Sequence, residues 1–393
     1  MYQRLGAIPW NDQLMDPLLA YTTEKVPEIT DWIEQLVKIE SPSSDPAAVN
    51  RAVEFVADRL AGEAEVVRHR ANGFGDHLRL EFPLPGRRKQ AQVLGIGHLD
   101  TVYPVGTLAS MPFKRAQGRL WGPGVFDMKS GVTYFVFAAR ALRDLDIPVR
   151  RRFVVQLNSD EEIGSPSSRR YTEREAKKSV AALIAEPSAG PEGNVKTARK
   201  GGGGFRIGVR GIAAHAGLDF AAGASAIVEL ARQIERVAEW TDLAKGITIN
   251  PGLIRGGTAT NTVAEEAWAE VDVRVPRKSD ARRLERKFAS LKSFDRRTQV
   301  SVEGNLRRPP MERNRAILGI YRLARKLSRE LGFELGEAQV GGGSDGNFTA
   351  ALGLPTLDGI GAVGERPHSP GECIYVDRIA DRVALIAKVI AAL

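Results

Sequence analysis

The chain reads as an α/β protein whose main layer is interrupted by a smaller ferredoxin-like α+β unit. Three observations carry this. Short apolar runs alternate with helical stretches as far as residue 185. A β-α-β-β-α-β order then follows between residues 205 and 302. The α/β character returns after Arg308-Pro309-Pro310. Alternating strands and helices predict a largely parallel sheet, and the inserted order is that of a split βαβ unit.

Residues 28–60 show helical patterns broken by Ser-Pro-Ser-Ser at 41–44. Residues 91–97 (AQVLGIG) form a short apolar run that predicts a buried strand. Residues 128–145 have the length of a helix. Residues 151–157 (RRFVVQL) and 180–185 (VAALIA) predict two more strands. In the insert, strands are expected at 205–209, 247–254, 267–275 and 299–302. Helices are expected at 222–240, with Ile227, Leu230, Ala231, Ile234 and Val237 at helical spacing, and at 280–291, with Ser279 as N-cap. A helix at 313–331, a strand near 355–361 and a helix at 377–392 complete the chain. The division is 1–198 with 310–393 for the main domain and 199–309 for the insert.

The 393 residues are 43% hydrophobic and 26% charged, an ordinary globular composition that excludes a disordered or fibrous chain. The single cysteine, Cys373, excludes a disulfide framework and multi-cysteine metal sites, and its setting predicts a structural thiol leading into a strand. Met1–Asp16 lacks the apolar region of a signal peptide, and no run approaches the ~20 apolar residues of a membrane span, so a cytoplasmic location is expected. The +8 net charge is matched by one stretch. Residues 277–315 hold 13 Lys and Arg against 5 Asp and Glu, which reads as a solvated helix face able to steer an anionic substrate.

The chemistry gathers at strand ends. His98 follows a strand in Gly-His-Leu-Asp-Thr-Val, where Asp100 can hold one ring nitrogen while the other binds a metal. Asp127 lies at a helix start in Gly-Pro-Gly-Val-Phe-Asp-Met-Lys-Ser-Gly, where a plain N-cap is an equal reading. Glu161 and Glu162 follow the second strand in Ser-Asp-Glu-Glu-Ile-Gly, Glu186 follows the third in Ala-Glu-Pro-Ser, and His368 follows the late apolar segment. The carboxyl ends of strands form the ligand crevice of open α/β sheets. Two histidines with several carboxylates there suit zinc, or cobalt or manganese. The glycine runs at 201–204 and 341–343 match neither a P-loop nor G-x-G-x-x-G, so nucleotide binding is rejected. No nucleic-acid-binding motif is present either.

These motifs, together with Gly-Ile-Ala-Ala-His-Ala-Gly, resemble the zinc-dependent M20 peptidases along nearly the whole chain from about residue 28. The Gly-Gly-Gly-Ser-Asp-Gly-Asn run at 341–347 is most similar to their glutamate carboxypeptidase branch. The resemblance implies a dizinc peptidase-like catalytic domain with an inserted lid and dimerisation domain. It implies two Zn2+, one held by His98, Asp127 and Glu186, the other by Asp127, Glu162 and His368. Asp100 would orient His98, and Glu161 would be the general acid/base. His215 would reach the active site of a partner subunit in a homodimer. Asn261 and Arg308 would contact substrate, Arg308 through its free carboxylate. A cis peptide is implied at Asp127-Met128. The expected reaction is hydrolysis of an amide beside a free carboxylate, releasing a C-terminal residue such as glutamate. N-acyl-amino-acid deacylation is the alternative. A non-catalytic binding protein and a basic nucleic-acid binder rank lower, since the ligand set, Glu161 and His215 are all present.

Overall fold

The computed structural model describes residues 15–87 and 89–393. The absence of an apolar leader, read on Met1–Asp16, falls almost entirely outside them. The main layer is an eight-stranded sheet in the order Glu65–His69, His77–Phe82, Arg152–Asn158, Gln92–His98, Ser179–Ile184, Thr356–Asp358, Val195–Arg199, Glu337–Val340. Its centre is parallel, as expected, but both flanks contain antiparallel pairs, so the sheet is mixed.

Helices cover both faces, which is why the central strands read as unbroken apolar runs. Val93, Phe153, Val155 and Leu183 face the helices Val26–Val37, Ser130–Asp144 and Ile379–Ala392. Leu94, Ile96, Val154, Ala182 and Ile184 form a second cluster on the other face, with Ala176 of helix Arg169–Ala176. Helix Arg315–Glu330 starts two residues later than the expected 313. Asn314 caps it by accepting from the Ile317 amide at 3.0 Å, and Ile317, Ile320, Tyr321, Ala324 and Leu327 form its buried stripe.

The insert has its own four-stranded sheet, ordered Thr248–Gly256, Glu266–Val275, Gly201–Arg210, Gln299–Arg308, with every neighbour antiparallel. Helices Ala226–Ala238 and Lys278–Ala289 pack on one face around Phe205, Ile207, Leu230, Val271, Leu284 and Phe288. Phe205 and Phe288 stack with ring centroids 4.0 Å apart. Ser279 is not the cap of the second helix. That helix begins one residue earlier at Lys278, whose amide donates to Glu312 Oε1 at 2.7 Å, so a distant carboxylate replaces the local hydroxyl.

A third, small sheet pairs Gly364–Glu365, Cys373–Tyr375, Arg119–Trp121 and Lys114–Ala116. It carries the His368 loop and lies beside the turn that holds Asp127. Cys373 is buried in it, as read from the sequence. No described helix is long and apolar enough to cross a membrane.

Candidate metal centre

Parallel pairing brings the strand ends together. His98 is the last residue of its strand and sits opposite Asn158, while Ile96 pairs with Ile184. The residues that follow Asn158 and Ile184 include Glu161, Glu162 and Glu186, so topology alone places them around His98. Close packing tightens the arrangement. A Cβ on Gly131 or Gly361 would lie 1.9 or 2.0 Å from the Ala185 carbonyl, so only glycine lets these segments approach the strand end that carries Glu186.

Asp127 occupies the wide turn Val125–Lys129 ahead of helix Ser130–Asp144 and does not cap it. The Asp127–Met128 peptide is cis. The two carboxylate oxygens of Asp127 face different imidazoles. Oδ1 is 3.2 Å from His98 Nε2, and Oδ2 is 3.2 Å from His368 Nε2. His368 Nε2 is also 3.1 Å from Glu162 Oε1, and His98 Nε2 is 3.7 Å from Glu186 Oε1. One ligand atom each from His98, Asp127 and Glu162 lies within 4.8 Å of the others, and the same holds for His98, Glu161 and Glu186.

Asp100 is placed differently from the simplest expectation. His98 Nδ1 is 2.9 Å from the Asp100 backbone carbonyl and 3.5 Å from its carboxylate. The carboxylate instead accepts from the Glu161 amide at 3.2 Å, the Glu162 amide at 3.1 Å and the Ser43 hydroxyl at 2.6 Å. Asp100 therefore fixes the segment that presents both glutamates as well as the ring of His98.

Arg308 ends the last strand of the insert and reaches this cluster. Its Nη1 is 3.0 Å from Glu161 Oε1 and 3.5 Å from Asp345 Oδ1, and its guanidinium lies over the Phe348 ring. Glu161, Glu162, His368 and Arg308 line one open cavity of about 670 Å³ with Gly342 and Gly343. His215 and Asn261 are not brought to it. They lie together in the insert, exposed, with the Ala216 amide donating to the Asn261 carbonyl at 2.8 Å. His215 Nδ1 accepts from the amides of Gly217 and Leu218.

The groups that hold the candidate ligands do not stand out in the sequence. Arg199 donates to Asp358 at 2.8 and 2.7 Å and to Glu186 Oε2 at 3.1 Å. Glu372, fully buried, accepts from the turn around Asp127. Asp345 accepts from Ser165 and, at 2.6 Å, from Asn158. The only signals for these were a charged residue beside a strand or inside a quoted motif.

Charge in the cluster is unbalanced. Burial, then the nearby Asp127 charge, push Glu186 up to about 7 against the pull of Arg199. Burial raises Glu161 well above the usual carboxylate range despite Arg308. Burial also acts upward on Asp127, but the hydrogen bonds from His368 and His98 outweigh it and hold Asp127 far below that range. Hydrogen bonds to Asp127 and Glu162 raise His368 to about 10. Carboxylates pushed upward and imidazoles pushed upward together mark a pocket that favours added positive charge. A donor set of imidazoles and carboxylates, with one carboxylate open to both sides, fits two adjacent divalent cations of the zinc type.

An α/β sheet with such a cluster at its strand ends is the layout of a metal-dependent hydrolase. Comparison with known proteins sharpens this: residues 95–392 match the peptidase family M20/M25/M40, and the chain belongs to that family as a metallopeptidase. It is 27% identical to carboxypeptidase G2 of Pseudomonas sp. (strain RS-16) over 384 residues, covering 95% of this chain and 91% of that one. It is 28% identical to succinyl-diaminopimelate desuccinylase of Cereibacter sphaeroides, covering 78% of this chain and 84% of that protein. Among solved structures, the aminopeptidase PepT from Bacillus cereus ATCC 10987 shares the fold. The TM-score is 0.75 at 22% identity, with 93% of this chain and 98% of that chain covered.

Proposed function

We propose that the protein hydrolyses an amide bond next to a free carboxylate, as a carboxypeptidase releasing a C-terminal amino acid, with glutamate the first candidate. The observation that carries this reading is the placement of Glu161. Its largely buried carboxylate lies beside the imidazole–carboxylate cluster and 3.0 Å from the Arg308 guanidinium. A general base and a carboxylate-binding cation thus share one cavity. The likeness to carboxypeptidase G2 over most of both chains supports the same reading.

In this reading His98, Asp127 and Glu186 hold one Zn2+, and Asp127, Glu162 and His368 the other, with Co2+ or Mn2+ as substitutes. When bound, such ions supply Lewis acidity to the amide carbonyl and a more acidic water. Arg308 binds the substrate carboxylate, which takes the place of Glu161 as its partner and frees Glu161. Glu161 accepts a proton as the water oxygen bonds to the carbonyl carbon, then donates it to the leaving nitrogen as the C–N bond breaks. Asp100 holds His98 and the Glu161–Glu162 backbone in register. The insert, residues 199–309, acts as lid and dimerisation domain on a catalytic domain formed by 1–198 and 310–393. Through it a cytoplasmic homodimer would bring His215 of one chain, with Asn261 beside it, to the carbonyl oxygen of substrate on the other.

The test compares an N-acyl amino acid with its carboxamide. Loss of one charge-assisted hydrogen-bonded contact corresponds to about 10–100-fold in kcat/KM. Equal rates for the two substrates would reject the carboxylate requirement. The deacylase alternative is favoured by the likeness to the desuccinylase. It is separated by varying the acyl group and the released residue independently, since a deacylase discriminates on the acyl side.

A further inference from the structure

Glu372 takes no part in the proposed reaction, yet its carboxylate is fully buried and both oxygens are engaged. Oε1 accepts from the backbone amides of Phe126 at 2.7 Å and Asp127 at 3.0 Å. Oε2 accepts from the Gly124 amide at 3.3 Å and the Tyr103 hydroxyl at 2.6 Å. The Tyr103 hydroxyl also lies 3.2 Å from the Ser369 carbonyl, in the loop that presents His368. The Glu372 amide closes the same loop by donating to Ser369 at 3.1 Å.

Three segments therefore meet at one carboxylate. One runs from His98 and Asp100 to Tyr103. One is the turn that carries Asp127. The third is Glu372's own loop, in which Arg366 and His368 both adopt left-handed backbone, with φ of 59° and 58°. That conformation is unfavourable for residues with a side chain, so the loop needs anchoring from outside its own backbone. An acceptor-only group suits the Asp127 turn, because three amides of a non-helical turn point inward and have to be satisfied away from water.

We propose that Glu372 is a positioning residue for the metal centre: it fixes Asp127 and His368 relative to each other and so sets the affinity of the ion they share. This inference rests on the dinuclear reading above. Groups that orient metal ligands in this way typically change metal affinity about 10–100-fold when mutated.

The test uses purified chelated protein titrated calorimetrically with Zn2+, alongside thermal unfolding of the same metal-free samples. Glu372→Gln keeps the shape and one acceptor oxygen but turns an NH2 group toward amides that need an acceptor. It is expected to retain one tight ion and to bind the second about tenfold or more weakly. Tyr103→Phe, which keeps the carboxylate, is expected to show a smaller loss of the same ion. If Glu372→Gln binds two ions with wild-type affinity, the inference is overturned, even if its metal-free melting temperature falls, since that pattern is a merely structural role. Should the Gln variant fail to fold, Tyr103→Phe decides: unchanged affinity for both ions overturns the proposal. Wild-type protein that binds no ion overturns the dinuclear reading itself, a distinct result.

Discussion

Removing metal from a cluster rich in buried carboxylates should reverse the protein's pH–stability profile. In the metal-free chain Glu186 titrates near 7 instead of its ordinary 4.5 because burial and Asp127 oppose its charge. Native protein then holds a proton that the unfolded chain has released, and stability falls as pH rises through that window. The displacement corresponds to about 3 kcal/mol between pH ~4.5 and ~7. His368 acts with the same sign. Raised to about 10, its contribution is complete below the ordinary imidazole value and is lost as pH rises from there to about 10. Asp127, held low, changes stability only under more acidic conditions. About 3 kcal/mol is a large part of the 5–15 kcal/mol that normally holds a fold together. The assay is urea unfolding of chelated protein at about pH 5.5 and pH 8, repeated with saturating Zn2+. The chelated protein should be the less stable at the higher pH. The loaded protein should show the opposite slope, because ligands must be deprotonated to bind. Chelated protein that is equally or more stable at pH ~8 would refute the charge argument.

Three further outcomes follow from the geometry. Glu161→Gln should lower kcat by about 10²–10⁴-fold with the metal content unchanged, read by steady-state kinetics and elemental analysis of one sample. Arg199→Met should leave Asp358 and Glu186 without their buried cation, costing about 3–5 kcal/mol in denaturant unfolding of the chelated protein. If His215 acts across a homodimer, mixing His215→Ala with Glu161→Ala protein should restore part of the activity after verified subunit exchange. No recovery would remove His215 from the reaction in trans.

The centre of the fold was legible because burial on both faces leaves plain traces. The runs at 92–98, 152–158 and 179–184 are almost wholly buried, and the His and Glu residues at or just past their ends stand out against them. The edge strands left no such trace: Glu65–His69 is half exposed and charged, and Glu337–Val340 has only four residues, none of them fully buried. The insert's strands proved longer than their apolar cores, since Gly201–Gly204 and residues 303–308 continue the ladder beyond them. The candidate ligands were readable as motifs, but their supports were not. Glu372 and Arg199 act through partners far away in sequence, among them Asp127 and Asp358, and no local spacing announces such a contact. The Ser279 cap failed for the same reason, as Glu312 supplied the acceptor.

The proposed reaction depends on two divalent cations at the His98–Asp127–His368 cluster. The decisive experiment is elemental analysis of protein prepared without chelator, paired with turnover before and after metal removal. Two ions per chain are expected, with loss of activity on chelation and recovery on adding Zn2+, Co2+ or Mn2+. Undiminished hydrolysis by a preparation shown to be metal-free would contradict it.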